Sequence, residues 1–179
     1  HVARRLTANG TPVVALVRSG SNREALQQAG VECRIADLLD PHDVARHFES
    51  VDTVYHIAAA YRSEHADHRT FRAVNVDATR NLLEAASEND VRRFVHCSTV
   101  GVQGVIDDPP ADESYRAAPG DHYQQSKLDG ERLALEYCGR GLPVSVVRPA
   151  GIYGPGDTRF LKLFRAIQRG RFVMIGSGQ

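Results

Sequence analysis

Residues 53–97 decide the fold: Thr53-Val-Tyr-His-Ile57, a helical pattern over 67–89, then Arg93-Phe-Val-His-Cys97. Both short runs are rich in β-branched and aromatic residues, the composition of buried strands. Two strands separated by a helix pair in parallel, because the helix supplies the crossover and covers the sheet. The alternation extends in both directions. Strand-like runs recur at 12–17, 31–35, 143–147 and 172–175, and helical patterns at 22–29, 43–49, 123–140 and 159–168. Repeated strand-helix units predict an α/β fold built on a doubly wound parallel sheet.

Composition sets limits around that expectation. A chain of 179 residues with 42% hydrophobic content is about one domain with a good core. It shows no internal repeat, low-complexity tract or linker. The 22 basic and 22 acidic residues balance, which argues against a nucleic-acid or anionic-membrane surface. The apolar runs at 12–17 and 144–147 are too short to span a bilayer, no signal-peptide pattern is present, and a cytoplasmic location is expected. Cys33, Cys97 and Cys138 lack metal-ligand spacing and are expected as reduced, buried thiols.

Both ends read as interior sequence. Residue 1 is His, the only Met is Met174, and residues 1–9 read as the middle of an amphipathic helix closed by Gly10. Residues 171–175 read as a strand, and the chain ends four residues later. Continuation at each end is therefore expected.

In open α/β sheets, ligands bind beyond the carboxyl ends of the strands. Arg18-Ser19 follow the first run, Asp37-Leu38 the second, Ala58-Ala-Ala60 the third, Ser98-Thr99 the fourth and Pro149-Ala-Gly151 the fifth. Small residues at such points let a flat ligand approach the backbone. The polar stretch 103–121, with Asp107-Asp-Pro-Pro110 and Ala118-Pro-Gly120, reads as a loop bordering the same edge.

Immediately after that loop comes Tyr123-Gln-Gln-Ser-Lys127. On a helix, positions i and i+4 share a face, so the ammonium lies near the phenol or beside a ligand held there. A neighbouring cation favours phenolate and suits the phenol to exchange a proton with a carbonyl or alcohol. The bland alternative is an exposed surface pair. His65 and His68 also invite attention, but they stand in a polar stretch without a third ligand, so no metal is expected.

Taken in order, several segments resemble the extended short-chain dehydrogenase/reductase superfamily, in the branch called NAD-dependent epimerase/dehydratases. They are Ala36-Asp-Leu38, His56-Ile-Ala-Ala59, Asn75-Val-Asp-Ala-Thr79, Ser98-Thr99 with Gly104, Tyr123 to Lys127, and Arg148-Pro-Ala-Gly-Ile-Tyr-Gly-Pro-Gly-Asp157. The resemblance implies a Rossmann-like domain in which Tyr123 is the catalytic acid/base and Lys127 holds the nicotinamide ribose. It implies that Thr99, with Ser98 as second choice, orients the substrate oxygen, and that Asn75 is the family's helix asparagine. It places Asp37 and Leu38 at adenine, Ile57, Ala58, Ala59 and Ala60 along the cofactor, and Pro149 and Ile152 beside nicotinamide.

The departures matter too. The family's glycine-rich loop, which seats pyrophosphate at a helix N-terminus, has no counterpart here. The first strand and its loop, like the C-terminal substrate lobe, are therefore expected to lie outside these 179 residues, and weak dinucleotide binding by the chain alone is expected. Arg18 and Ser19 stand where NAD enzymes commonly place an acid, which favours NADP(H) over NAD(H). Thr99 is followed by Val100-Gly101 rather than the acidic pair of sugar-nucleotide dehydratases, and Gly151 replaces the asparagine of many epimerases. The Arg148-Pro149 segment is closer to 3β-hydroxysteroid dehydrogenases and dihydroflavonol-type reductases. The expected function is hydride transfer between nicotinamide and a secondary alcohol or ketone on a small-molecule substrate. Nucleotide-sugar epimerisation is the runner-up, a non-catalytic nucleotide-sensing or inert domain is the alternative of another class, and a homodimer through the long helices is possible.

Overall fold

The computed structural model describes residues 1–61, 67–155, 157–158 and 160–173. They divide into two compact units, residues 1–148 and 149–179. The first opens with α1 (Val2–Ala8), followed by β1 (Val14–Val17), α2 (Glu24–Gln27), β2 (Glu32–Ile35) and α3 (Pro41–Ala45). It continues with β3 (Thr53–His56), α4 (His68–Arg72), α5 (Ala78–Glu88), β4 (Arg93–Cys97), α6 (His122–Gly139) and β5 (Val144–Val147). The second unit contains α7 (Leu161–Gln168).

All strand pairs are parallel, as the alternation predicts, and the architecture is Rossmann-like α/β. The sheet, however, comes in two pieces: β1 pairs with β2, while β3, β4 and β5 pair in that order. Among the described residues no strand joins β1 to β3. The sixth predicted strand is not formed over 171–173, and Met174 and Ile175 lie outside the described residues. The thiols also differ from expectation: Cys33 and Cys97 are only half-buried and Cys138 is exposed on α6.

Three helix starts are set by aspartate. Asp40 accepts from the backbone N–H groups of His42 and Asp43 (2.9 and 3.3 Å) with Pro41 at the first helical position. Asp67 accepts from Thr70 N and Asp121 from Gln124 N, each at 2.8 Å. Such caps satisfy donors that a first turn leaves orphaned.

The core lies between the three-stranded sheet and α5 and α6. Phe94 on β4 packs among Leu82, Leu83, Val91, Ala134 and Tyr137, with Val44 and Phe48 from the α3 region completing the cluster. Alternation along β4 sends Phe94 and His96 into this layer together.

Candidate active site

Between α4 and α5 the helix makes one π turn, Ala73–Asp77, with Asn75 in its middle. Such a bulge widens the turn and re-aims its side chains, and π turns are common at functional sites. The Asn75 amide grips the chain after β3: its oxygen accepts from Ala60 N at 2.8 Å and its nitrogen donates to Ala60 O at 3.1 Å. The same nitrogen donates to Ser126 Oγ at 2.9 Å, and Ser126 Oγ donates to Tyr123 O at 2.8 Å. Asn75 thus fastens the alanine turn to the first turn of α6.

The π turn also depends on Gly130. A Cβ there would lie 2.4 Å from Asn75 O, a clash with backbone that no rotamer relieves. Only glycine lets α6 approach so closely. Thr79 Oγ1 donates to Asn75 O at 2.9 Å and therefore accepts from His56 Nε2, also at 2.9 Å, which fixes the His56 tautomer with its proton on Nε2. The His56 ring stands 5.5 Å from that of His96, centroid to centroid. Burial holds both imidazoles neutral. His96 is lowered to about 3, by burial first and the Lys127 charge second. His56 lies well below its ordinary value, through burial, then His96, then Lys127.

Lys127 is only 3% exposed, and its Nζ donates to Cys97 O at 2.6 Å. Burial pulls its pKa below the ordinary lysine range, opposed by Cys97 and by the Glu131 carboxylate. The ammonium therefore sits at the carboxyl end of β4, where Ser98 and Thr99 follow. Thr99 Oγ1 accepts from Gly101 N at 3.2 Å and caps a short 3₁₀ turn, Val100–Gln103. With its oxygen so engaged, the Thr99 hydroxyl keeps a proton to donate. Ser98 is buried, and its Oγ has no hydrogen bond of standard geometry, though it lies close enough to Glu131 to favour the ionised carboxylate.

The Tyr123 ring meets Tyr61 edge-on at 5.1 Å and Phe71 at 6.0 Å. Lys127 follows one turn later on the same face of α6. The 103–121 loop is anchored around this helix start. Gly104, at φ +68°, runs so close to the chain that a Cβ would meet Ala118 O at 2.0 Å. Gln103 Nε2 donates to Asp112 O at 2.6 Å, and Gly120 N donates to Gln124 Oε1 at 2.6 Å.

The structure thus gathers Asn75, Ala60, Ser98, Thr99, Tyr123 and Lys127. Asp37 and Leu38 form a separate turn after β2. Asp37 N donates to Asp43 Oδ2, and Leu38 O accepts from Asn81 Nδ2, both at 2.9 Å. Arg18 and Ser19 are exposed at the end of β1, and Ile57, Ala58 and Ala59 are exposed after β3. Pro149 and Ile152 belong to the second unit, in which Ile152 is exposed and Tyr153 meets Phe160 and Phe164. His68 meets the His122 ring edge-on at 5.1 Å, and His65 lies outside the described residues. Among the described residues no cluster of three or more His, Cys, Asp or Glu is placed to hold a metal, and no helix is long and apolar enough to cross a membrane.

Sequence reasoning missed Ser126, Thr79, His96, Gly130 and the Glu131–Arg148 pair. Arg148 Nε and Nη2 donate to Glu131 Oε2 and Oε1 at 3.1 and 2.5 Å. The spacing held a usable signal for one of them: Glu131 is one turn beyond Lys127 and two beyond Tyr123, on the same helix face.

The model of the NAD dependent epimerase/dehydratase family matches residues 1–179. The chain is 34% identical over 162 residues to sterol demethylase protein B of Methylococcus capsulatus, covering 89% of this chain and 49% of that protein. It is 35% identical over 162 residues to 3beta-hydroxysteroid-dehydrogenase/decarboxylase isoform 1 of Arabidopsis thaliana, covering 87% and 37%. The crystal structure of a UDP-galactose 4-epimerase superposes with a TM-score of 0.83 at 27% identity, covering 97% of this chain and 60% of that one. The chain spans about half the length or less of these two relatives. It belongs to the NAD-dependent epimerase/dehydratase family.

Proposed function

We propose that this family member is the dinucleotide-binding part of an NAD(P)-dependent oxidoreductase acting on a secondary alcohol or ketone, with Tyr123 as acid/base. The observation that carries the reading is the placement of Lys127: a buried ammonium fixed at the end of β4, beside Ser98 and Thr99, on the helix face that bears Tyr123. A buried ammonium is costly unless its charge serves a partner or ligand.

The residues suit a nicotinamide nucleotide. Lys127 has three N–H donors and gives one to Cys97 O, which leaves two for ribose hydroxyls. The exposed Ala58 and Ala59, held through Ala60 by Asn75, leave room for a flat ligand. No G-x-G-x-x-G run occurs in the sequence, so no pyrophosphate contact of that type is derived. The bound nicotinamide would supply or accept the hydride. Tyr123 gives a proton to the substrate oxygen during reduction or takes it during oxidation. Lys127 stabilises negative charge on the phenol oxygen, and Thr99 donates to the substrate oxygen and fixes its position. Asn75 and Ser126 hold the first turn of α6 so that the phenol keeps its aim.

A positioned acid/base contributes about 10² to 10⁴ in rate. Tyr123→Phe in the whole protein is expected to lose that much turnover while cofactor affinity holds. Near wild-type turnover in steady-state assays would remove Tyr123 from the mechanism. For the cofactor, the exposed Arg18 at the end of β1 supports a preference for NADP(H) through its 2′-phosphate. Arg18→Ala should reduce the ratio of NADP(H) to NAD(H) affinity in fluorescence titrations, and an unchanged ratio would eliminate Arg18 as the selector. Epimerisation of a nucleotide sugar is the second reading, favoured by the superposition on UDP-galactose 4-epimerase. Product analysis separates the two, since an epimerase returns its cofactor unchanged.

A further inference from the structure

Glu131 is 2% exposed. A buried carboxylate demands full compensation, and replacing a buried ion pair by apolar residues is often neutral or stabilising, so such a pair is weak evidence for a purely structural role. Three contacts give this pair a different meaning. Arg148 grips Glu131 through two nitrogens, and its third, Nη1, donates to Glu113 O at 3.1 Å. Glu113 lies in the loop that starts at the Thr99 turn and ends at the Asp121 cap. Glu131 also stands one helical turn from Lys127 on the face that carries Tyr123.

We propose that Glu131 is a positioning residue for the candidate site: pinned by Arg148, its carboxylate steadies the Lys127 ammonium and, through the same guanidinium, fastens the 103–121 loop at Glu113. This rests on the reading of Tyr123 and Lys127 given above. The groups that act on Lys127 are all identifiable. The carbonyl of Cys97 accepts its proton, and Glu131 is the neighbouring carboxylate. His56 and His96, which feel the Lys127 charge, are held neutral, and Arg148 is the competing cation that Glu131 also serves. Removing the carboxylate leaves the buried Lys127 ammonium and the half-buried Arg148 guanidinium without an anion between them. Removing the guanidinium leaves Lys127 as the neighbouring cation of Glu131, with Ser98 beside it. The two changes therefore move the Lys127 titration in opposite directions.

The chain has only two lysines, Lys127 and Lys162, so ¹³Cε-lysine labelling of the 179-residue chain gives two signals, assigned with Lys162→Arg. In Glu131→Gln the Lys127 midpoint should fall by about one unit or more, as loss of a close opposite charge requires. In Arg148→Gln it should rise, and Lys162 should move in neither. Hydrogen exchange in residues 112–116 should speed up about tenfold in both variants. A Lys127 midpoint unmoved in either folded variant, or loop exchange at the wild-type rate, would overturn the proposal. Should Glu131→Gln not fold, the predicted rise in Arg148→Gln decides alone. These readouts need no turnover, so a failed Tyr123→Phe test and a failed titration are distinguishable.

Discussion

The two parts of the sheet differ in how they are held. The three-stranded part, β3 to β5, contributes buried His56, Phe94 and His96 to the layer under α5 and α6, and Phe94 at its centre is fully inaccessible. The β1–β2 pair buries no residue within either strand, and Ile35 at its end is 52% exposed. The candidate chemistry sits on the well-packed part: Asn75, Ser98, Thr99, Tyr123 and Lys127 all attach to β3, β4 or the helices over them. The residues proposed to select the cofactor, Arg18 and Ser19, stand on the thin part. Proton transfer needs donor and acceptor held to a fraction of an ångström, which a packed core enforces. Charge recognition of a phosphate tolerates a looser support.

Substitution in the two parts tests that contrast. Phe94→Ala is expected to cost about 3–5 kcal/mol, the range for deleting a buried aromatic ring. Ile35→Ala should cost no more than about 0.5 kcal/mol, as at ordinary surface positions. Similar losses in urea melts of both variants would mean that the parts are equally supported.

Acid should act on the packed part through its buried imidazoles. Both are neutral in the fold and bind protons readily once unfolded, so their contribution is complete above the unfolded value near 6.5. It is lost as pH falls from there toward about 3 for His96, with His56 acting in the same direction. Each imidazole should remove about 1.4 kcal/mol per pH unit within that window. Urea melts at pH 7, 6 and 5 measure this, and His96→Phe should reduce the slope by one group. A flat profile between pH 6 and 5 would show that the pair is not buried in solution.

The smallest expected effect is the most local. Alanine in a helix interior normally gains about 1 kcal/mol over glycine. At Gly130 the added methyl would strike Asn75 O, so Gly130→Ala should instead lose roughly 1–3 kcal/mol by overpacking. A stabilised variant in chemical denaturation would show that α6 and the π turn are not in close contact.

Much of this was legible in the residues. Local preference and period gave the five strands and the order of the helices, because burial of short β-branched runs and one-turn helical faces leaves a pattern along the chain. The Tyr123–Lys127 spacing on α6 was legible for the same reason. Of the sixth strand expected over 172–175, Phe172 and Val173 form no strand and the other two residues lie outside the described ones. The division of the sheet into two pieces is recorded in no local pattern.

The alternation of elements, the family and the helix face that carries the phenol and the ammonium can all be read along the chain, since all three depend on near neighbours or on an ordered set of motifs. That Asn75 grips Ala60 across 15 positions, that Lys127 is held by a carbonyl 30 positions upstream and that Glu131 meets Arg148 across 17 came from the folded chain alone. Those bonds are set by the approach of α6 to β4 and the π turn. The distance between two helices is fixed by what packs between them, and no local pattern records it.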